Sequence, residues 1–122
     1  MKFCWVTVNV KNLEESLKFY QEVVKLPVKR RFNSGPDVEI VFLGDDETKL
    51  ELKCNNKSSE VNFGHDISIG FVVESVDKMM ALLEEREIKI HSGPFQPNPS
   101  IKFFYILDPD GLKVQFVENI II

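Results

Sequence analysis

The sequence predicts an α+β fold of two βαβββ modules in succession, and three observations carry that prediction. An alternating, strand-like stretch followed by a helix cap occurs twice, at Phe3–Val10 with Asn12 and at Ile67–Val73 with Ser75. Each predicted helix gives way to short apolar runs broken by turn residues, and the second set is closed by Asp108-Pro109-Asp110-Gly111. The self-similarity has a period of roughly sixty residues, too long for a solenoid repeat, and two half-domains in a row imply a shared cleft. The 122 residues are read as a single domain, with module one at about 1–55 and module two at about 66–122.

In the first stretch Cys4, Val6, Val8 and Val10 share one face, while Trp5, Thr7 and Asn9 share the other. A helix over about Leu13–Lys25 carries Leu13, Leu17, Tyr20 and Val24 at helical spacing, with Glu15 placed for a capping box and Pro27 as the stop. Its apolar stripe is expected to cover the valine face. Three strands follow at Val28–Phe32, Val38–Leu43 and Lys49–Cys54, separated by Asn33–Asp37 and Gly44–Asp46. The polar segment Asn55–Asp66 connects the halves.

The second half repeats the plan. Val76, Met79, Met80 and Leu83 mark a helix of about three turns that gives way to Ile88-Lys89-Ile90. Gly93–Pro99, with Pro94, Pro97 and Pro99, reads as an irregular loop. Strands at Ile101–Leu107 and Leu112–Glu118 flank the Asp-Pro-Asp-Gly turn, whose two aspartates are accounted for by turn chemistry rather than catalysis.

Composition narrows the function classes. A formal charge of −4 with dispersed lysines and arginines leaves no basic stripe for nucleic acid. No stretch approaches the ~20 apolar residues of a membrane span, and the N-terminus moves straight into a strand pattern, so the reading places the chain in the cytoplasm. Cys4 and Cys54 are accordingly read as reduced.

The residues resemble the vicinal oxygen chelate superfamily, which includes glyoxalase I, bleomycin-resistance proteins and extradiol dioxygenases. The matching segments are Val10-Lys11-Asn12-Leu13-Glu14-Glu15-Ser16-Leu17-Lys18-Phe19-Tyr20 and Phe104-Tyr105-Ile106-Leu107-Asp108-Pro109-Asp110-Gly111-Leu112-Lys113-Val114-Gln115. The resemblance implies paired βαβββ modules forming an open barrel-like cleft, the glyoxalase/bleomycin resistance fold, commonly in a homodimer. It also implies a divalent metal held by four positions, which fall here on Trp5, Glu51, Ser68 and Gln115. Tryptophan cannot ligate a metal, serine and glutamine are poor neutral donors, and only Glu51 is an ordinary ligand. His65 lies three residues before Ser68, with the wrong strand parity to replace it, and His91 reads as an edge or loop residue. No metal and no other cofactor is therefore expected.

Strand alternation then turns Trp5, Thr7, Glu51, Lys53, Ser68, Gly70, Lys113 and Gln115 toward the cleft, against the apolar opposite set Val6, Val8, Leu50, Leu52, Ile69, Phe71, Val114 and Phe116. One indole with directed polar groups suits a small organic ligand, with Trp5 and Glu51 favouring a cationic or planar heteroaromatic molecule. The competing reading has Trp5 filling the space of the metal and Glu51 paired with Lys53 or Lys113. The leading expectation is a metal-free small-molecule binding protein. The alternatives are a metal-dependent lyase, isomerase or dioxygenase with a displaced site, or a degenerate module acting through protein partners, for instance through its apolar tail Ile120-Ile121-Ile122.

Overall fold

A computed structural model describes residues 1–58 and 60–119. The tail Ile120-Ile121-Ile122, and with it the expected partner contact, lies outside the described residues. The chain divides into two compact units, Met1–Asn62 and a second from Phe63 onward. Both have the same build.

The first unit contains β1 (Trp5–Asn9), α1 (Leu13–Glu22), β2 (Val28–Asn33), β3 (Val38–Leu43) and β4 (Lys49–Asn55). Its sheet runs β1-β4-β3-β2, with β1 parallel to β4 and the other neighbours antiparallel. The second unit contains β5 (Ser68–Val72), α2 (Val76–Glu85), β6 (Ser92–Asn98), β7 (Ile101–Leu107) and β8 (Lys113–Asn119). Its sheet runs β5-β8-β7-β6, again with one parallel pair, β5 with β8. Among the described residues the molecule is therefore α+β, built from two four-stranded mixed sheets and two helices, and neither sheet closes on itself.

Each helix starts where a short polar side chain satisfies backbone donors that the first turn leaves over. Asn12 accepts from the Glu15 amide at 3.0 Å, and Ser75 accepts from the Lys78 amide at 3.2 Å. The Val76 amide donates to Glu118 Oε1 at 2.7 Å, so strand β8 reaches over to finish the cap of α2. Charge ties the helices to their sheets in the same way: Arg31 on β2 meets Glu14 and Glu39, and Lys102 on β7 meets Asp77 at 2.7 Å. Hydrogen bonds to Glu39 and then to Glu14 hold the Arg31 guanidinium above its ordinary pKa.

Helix α1 ends at Glu22, earlier than the periodicity suggests. The chain turns before Pro27 is reached, because Lys25 adopts φ 67° and the Leu26 amide closes onto the Tyr20 carbonyl at 3.0 Å. Under the helix, Leu13, Leu17 and Tyr20 bury the face formed by Val8, Leu50, Leu52, Val41 and Leu43. Module two packs Val76 and Leu83 of α2 against Phe104, Ile106, Val114 and Phe116, with Met79 and Met80 half-buried. These two apolar layers account for most of the buried hydrophobic surface.

The segment expected to be an irregular loop is strand β6. Its pairing with β7 is sparse, at Ser92↔Tyr105, Phe95↔Phe103 and Asn98↔Ile101 with shifts in register between them. Pro94 and Pro97 fall between those paired residues on an edge strand, where a missing amide hydrogen breaks no ladder bond. The Ile88–Ile90 run, by contrast, carries no strand.

The Asp108–Gly111 turn matches its local chemistry. Asp108 is 5% exposed, and its Oδ1 accepts from the Asp110 amide at 2.8 Å and the Leu112 amide at 2.9 Å. Asp108→Ala would strip both donors of their acceptor and is expected to cost about 2–3 kcal/mol, read as a lowered denaturation midpoint at unchanged slope.

Candidate functional site

The faces of the sheets that point away from the helices carry the polar and aromatic residues. In module one, register places Trp5 beside Lys49, Thr7 beside Glu51, and Asn9 beside Lys53. The β3 partners of Glu51 and Lys53 are Phe42 and Ile40, and Arg30 of β2 pairs with Phe42 in turn. A connected row of side chains results. The Arg30 guanidinium lies 4.7 Å from the Phe32 ring centre, Phe32 stacks on Phe42 at 6.2 Å, and Trp5 meets Phe42 edge-on at 5.2 Å. Trp5 remains 48% exposed at the end of that row, a large indole surface facing solvent.

Glu51 is the one buried charge on this face, 9% exposed, and the Thr7 hydroxyl donates a short hydrogen bond to its Oε1. That bond supplies one of the partners a buried carboxylate requires. The competing reading pairs Glu51 with Lys53 or Lys113; among the described residues no ion pair joins Glu51 to either, and its hydrogen-bond partner is Thr7.

In module two, Ser68 lies beside Lys113 and Gly70 beside Gln115. The Gln115 amide donates to Tyr105 Oη at 3.3 Å, and its Oε1 would stand 3.0 Å from a Cβ on Gly70. Glycine thus leaves room for the amide. Phe95, Phe103 and Tyr105 cluster nearby with ring centres 5.5–6.4 Å apart.

Within each module, then, the four residues expected on the cleft face do share one face: Trp5, Thr7, Glu51 and Lys53 in the first, Ser68, Gly70, Lys113 and Gln115 in the second. Strands β2, β3 and β7 add residues that sequence reading missed, namely Arg30, Phe32 and Phe42 in module one and Phe103 and Tyr105 in module two. Alternation within Val28–Asn33, Val38–Leu43 and Ile101–Leu107 contains that signal, but only cross-strand register says which parity joins the site.

The positions that the resemblance gives to a metal do not fit one. The indole of Trp5 offers no lone pair, Ser68 and Gln115 bring only a neutral hydroxyl and a neutral amide oxygen, and Glu51 is the single carboxylate, with one of its oxygens accepting from Thr7. Among the described residues, no three His, Cys, Asp or Glu side chains come together as a group that could hold a metal ion. Cys4 is exposed and Cys54 buried, and both are free thiols. No described helix is long and apolar enough to cross a membrane.

Two βαβββ modules in one chain, each with a helix on one sheet face and polar and aromatic side chains on the other, define the paired-module class of α+β proteins. The chain belongs to the Glyoxalase/Bleomycin resistance protein/Dioxygenase superfamily, whose family model matches residues 2–116. It is 27% identical to a lactoylglutathione lyase of Haemophilus influenzae over 98% of this chain and 93% of that protein. It is 32% identical to a lactoylglutathione lyase of Oryza sativa over 95% of this chain, which spans less than half (44%) of the rice protein. The fold matches the glyoxalase I of Leishmania major with a TM-score of 0.82 at 24% identity, over 97% of this chain and 86% of that one.

Proposed function

We propose that this chain is a small-molecule-binding member of its superfamily that takes a planar aromatic ligand on the helix-free face of module one, without a metal. The observation that carries the reading is Trp5. A half-exposed indole, held edge-on by Phe42, occupies the position that the resemblance assigns to the first metal ligand. An exposed tryptophan face backed by Phe42 and Phe32 offers a platform whose contact with a ligand ring is favoured by area burial and by ring geometry. Glu51 and Thr7 beside it supply directed polar contacts. In this reading the two modules work as one domain, in a cytoplasmic homodimer.

Trp5 is the only tryptophan, so its fluorescence reports on this face alone. Chelator-treated protein screened against a broad set of aromatic metabolites, by thermal shift and Trp5 emission, is expected to yield ligands that move both signals. A broad set that moves neither would sink the proposal.

A second reading, a metal-dependent lyase, is favoured by the likeness to lactoylglutathione lyases along nearly the whole chain. Against it stands the donor set, in which one carboxylate is accompanied by an indole, a hydroxyl and an amide.

A further inference from the structure

We infer that the ligand of the module-one face is an aromatic carboxylate rather than a cationic molecule, an inference that rests on the aromatic-binding reading above. The face carries three cations, Arg30, Lys49 and Lys53, and one carboxylate, Glu51. Elsewhere in the module Lys2, Lys29, Arg31 and Lys57 each meet an Asp or Glu oxygen. Arg30, Lys49 and Lys53 have no carboxylate partner among the described residues. Lys49 and Lys53 are moreover half-buried, so their side chains lie along this face rather than free in solvent. A ligand carboxylate would supply the missing charge.

The placement of these groups gives the ligand its shape. Lys49 is the register partner of Trp5, so a ring stacked on the indole brings its substituent within reach of that lysine. Lys53 lies two residues beyond Glu51 on the same face of β4, and Arg30 pairs across β3 with Phe42. Glu51 is the one negative charge set against these three cations, and the Thr7 hydroxyl donates to it. The whole chain is acidic, at −4, so a local excess of cations cannot be put down to a generally basic surface. Sequence reading weighed Trp5 and Glu51 together and favoured a cationic or planar heteroaromatic ligand. The register of β2 and β4 adds the positive groups that reverse that preference.

Three probes with one ring system separate ring from charge: naphthoate, naphthalenemethanol and naphthylmethylammonium, titrated calorimetrically into the full chain. Naphthoate is expected to bind about tenfold more tightly than the alcohol at low salt, with the ammonium weakest, and the gap is expected to narrow at high salt. The double substitution K49Q/K53Q is expected to shrink the preference for the anion over the alcohol to about threefold or less. Equal binding of all three, or tightest binding of the ammonium, would overturn the inference and leave aromatic binding standing. Failure of all three to bind would overturn both.

Discussion

Trp5→Ala is expected to weaken an aromatic ligand about tenfold or more, close to 1.4 kcal/mol, while changing folding stability by under ~1 kcal/mol. The two effects separate because Trp5 keeps 48% of its surface exposed, so folding gains little from the part that a ligand would cover. Its ring meets Phe42 at 70° rather than in a parallel stack, so the two do not cover each other face to face. Trp5→Phe is expected to recover part of the affinity, since a smaller ring keeps the stacking surface but not its full area. Calorimetry is the suitable readout, because the substitution removes the fluorophore. If alanine left affinity unchanged, the platform would have to be sought on the module-two cluster of Phe95, Phe103 and Tyr105.

Gly93→Ala is expected to destabilise module two by about 3 kcal/mol or more. Gly93 holds φ +104°, a region that side-chain-bearing residues rarely enter. An added Cβ would also stand 2.9 Å from Phe104 Cβ, 3.0 Å from Phe104 Cα and 3.2 Å from the Phe103 carbonyl oxygen. Phe104 is fully buried and cannot retreat, and the other two atoms belong to the backbone of β7. Gly111→Ala provides the comparison, with φ +91° but nothing within 4 Å of the added carbon. It carries backbone strain without collision and is expected to cost about 1–2 kcal/mol. Equal denaturation midpoints for the two variants would contradict the account of how β6 is seated.

Local chemistry is what sequence reading recovered well. Asn12 and Ser75 cap their helices because the side-chain oxygen and the orphaned amide lie three residues apart, a relation independent of the rest of the fold. Asp108 organises its turn for the same reason. Strand alternation sorted Trp5 and Thr7 from Val6 and Val8, and Ser68 and Gly70 from Ile69 and Phe71, because a period of two survives without knowledge of the partner strand. The superfamily followed from two motifs plus the module plan.

What escaped depends on contacts between strands. The prolines of β6 suggested a loop, yet an edge strand that pairs at only a few positions accommodates them. Arg30 and Phe42 join the Trp5 face only through the β2–β3–β4 register, and the face goes from balanced charge to net positive once Arg30 and Lys49 are counted beside Glu51 and Lys53. Thr7 as the partner of Glu51 depends likewise on the pairing of β1 with β4, forty-four residues apart in sequence.

The central claim is that this scaffold binds its ligand without a metal, and elemental analysis tests it most directly. Protein purified without chelator and then incubated with excess nickel, zinc, manganese and iron is expected to retain only substoichiometric metal after desalting, because Trp5, Glu51, Ser68 and Gln115 do not supply a ligand set. One tightly held metal ion per chain would contradict the account and return the lyase reading to first place.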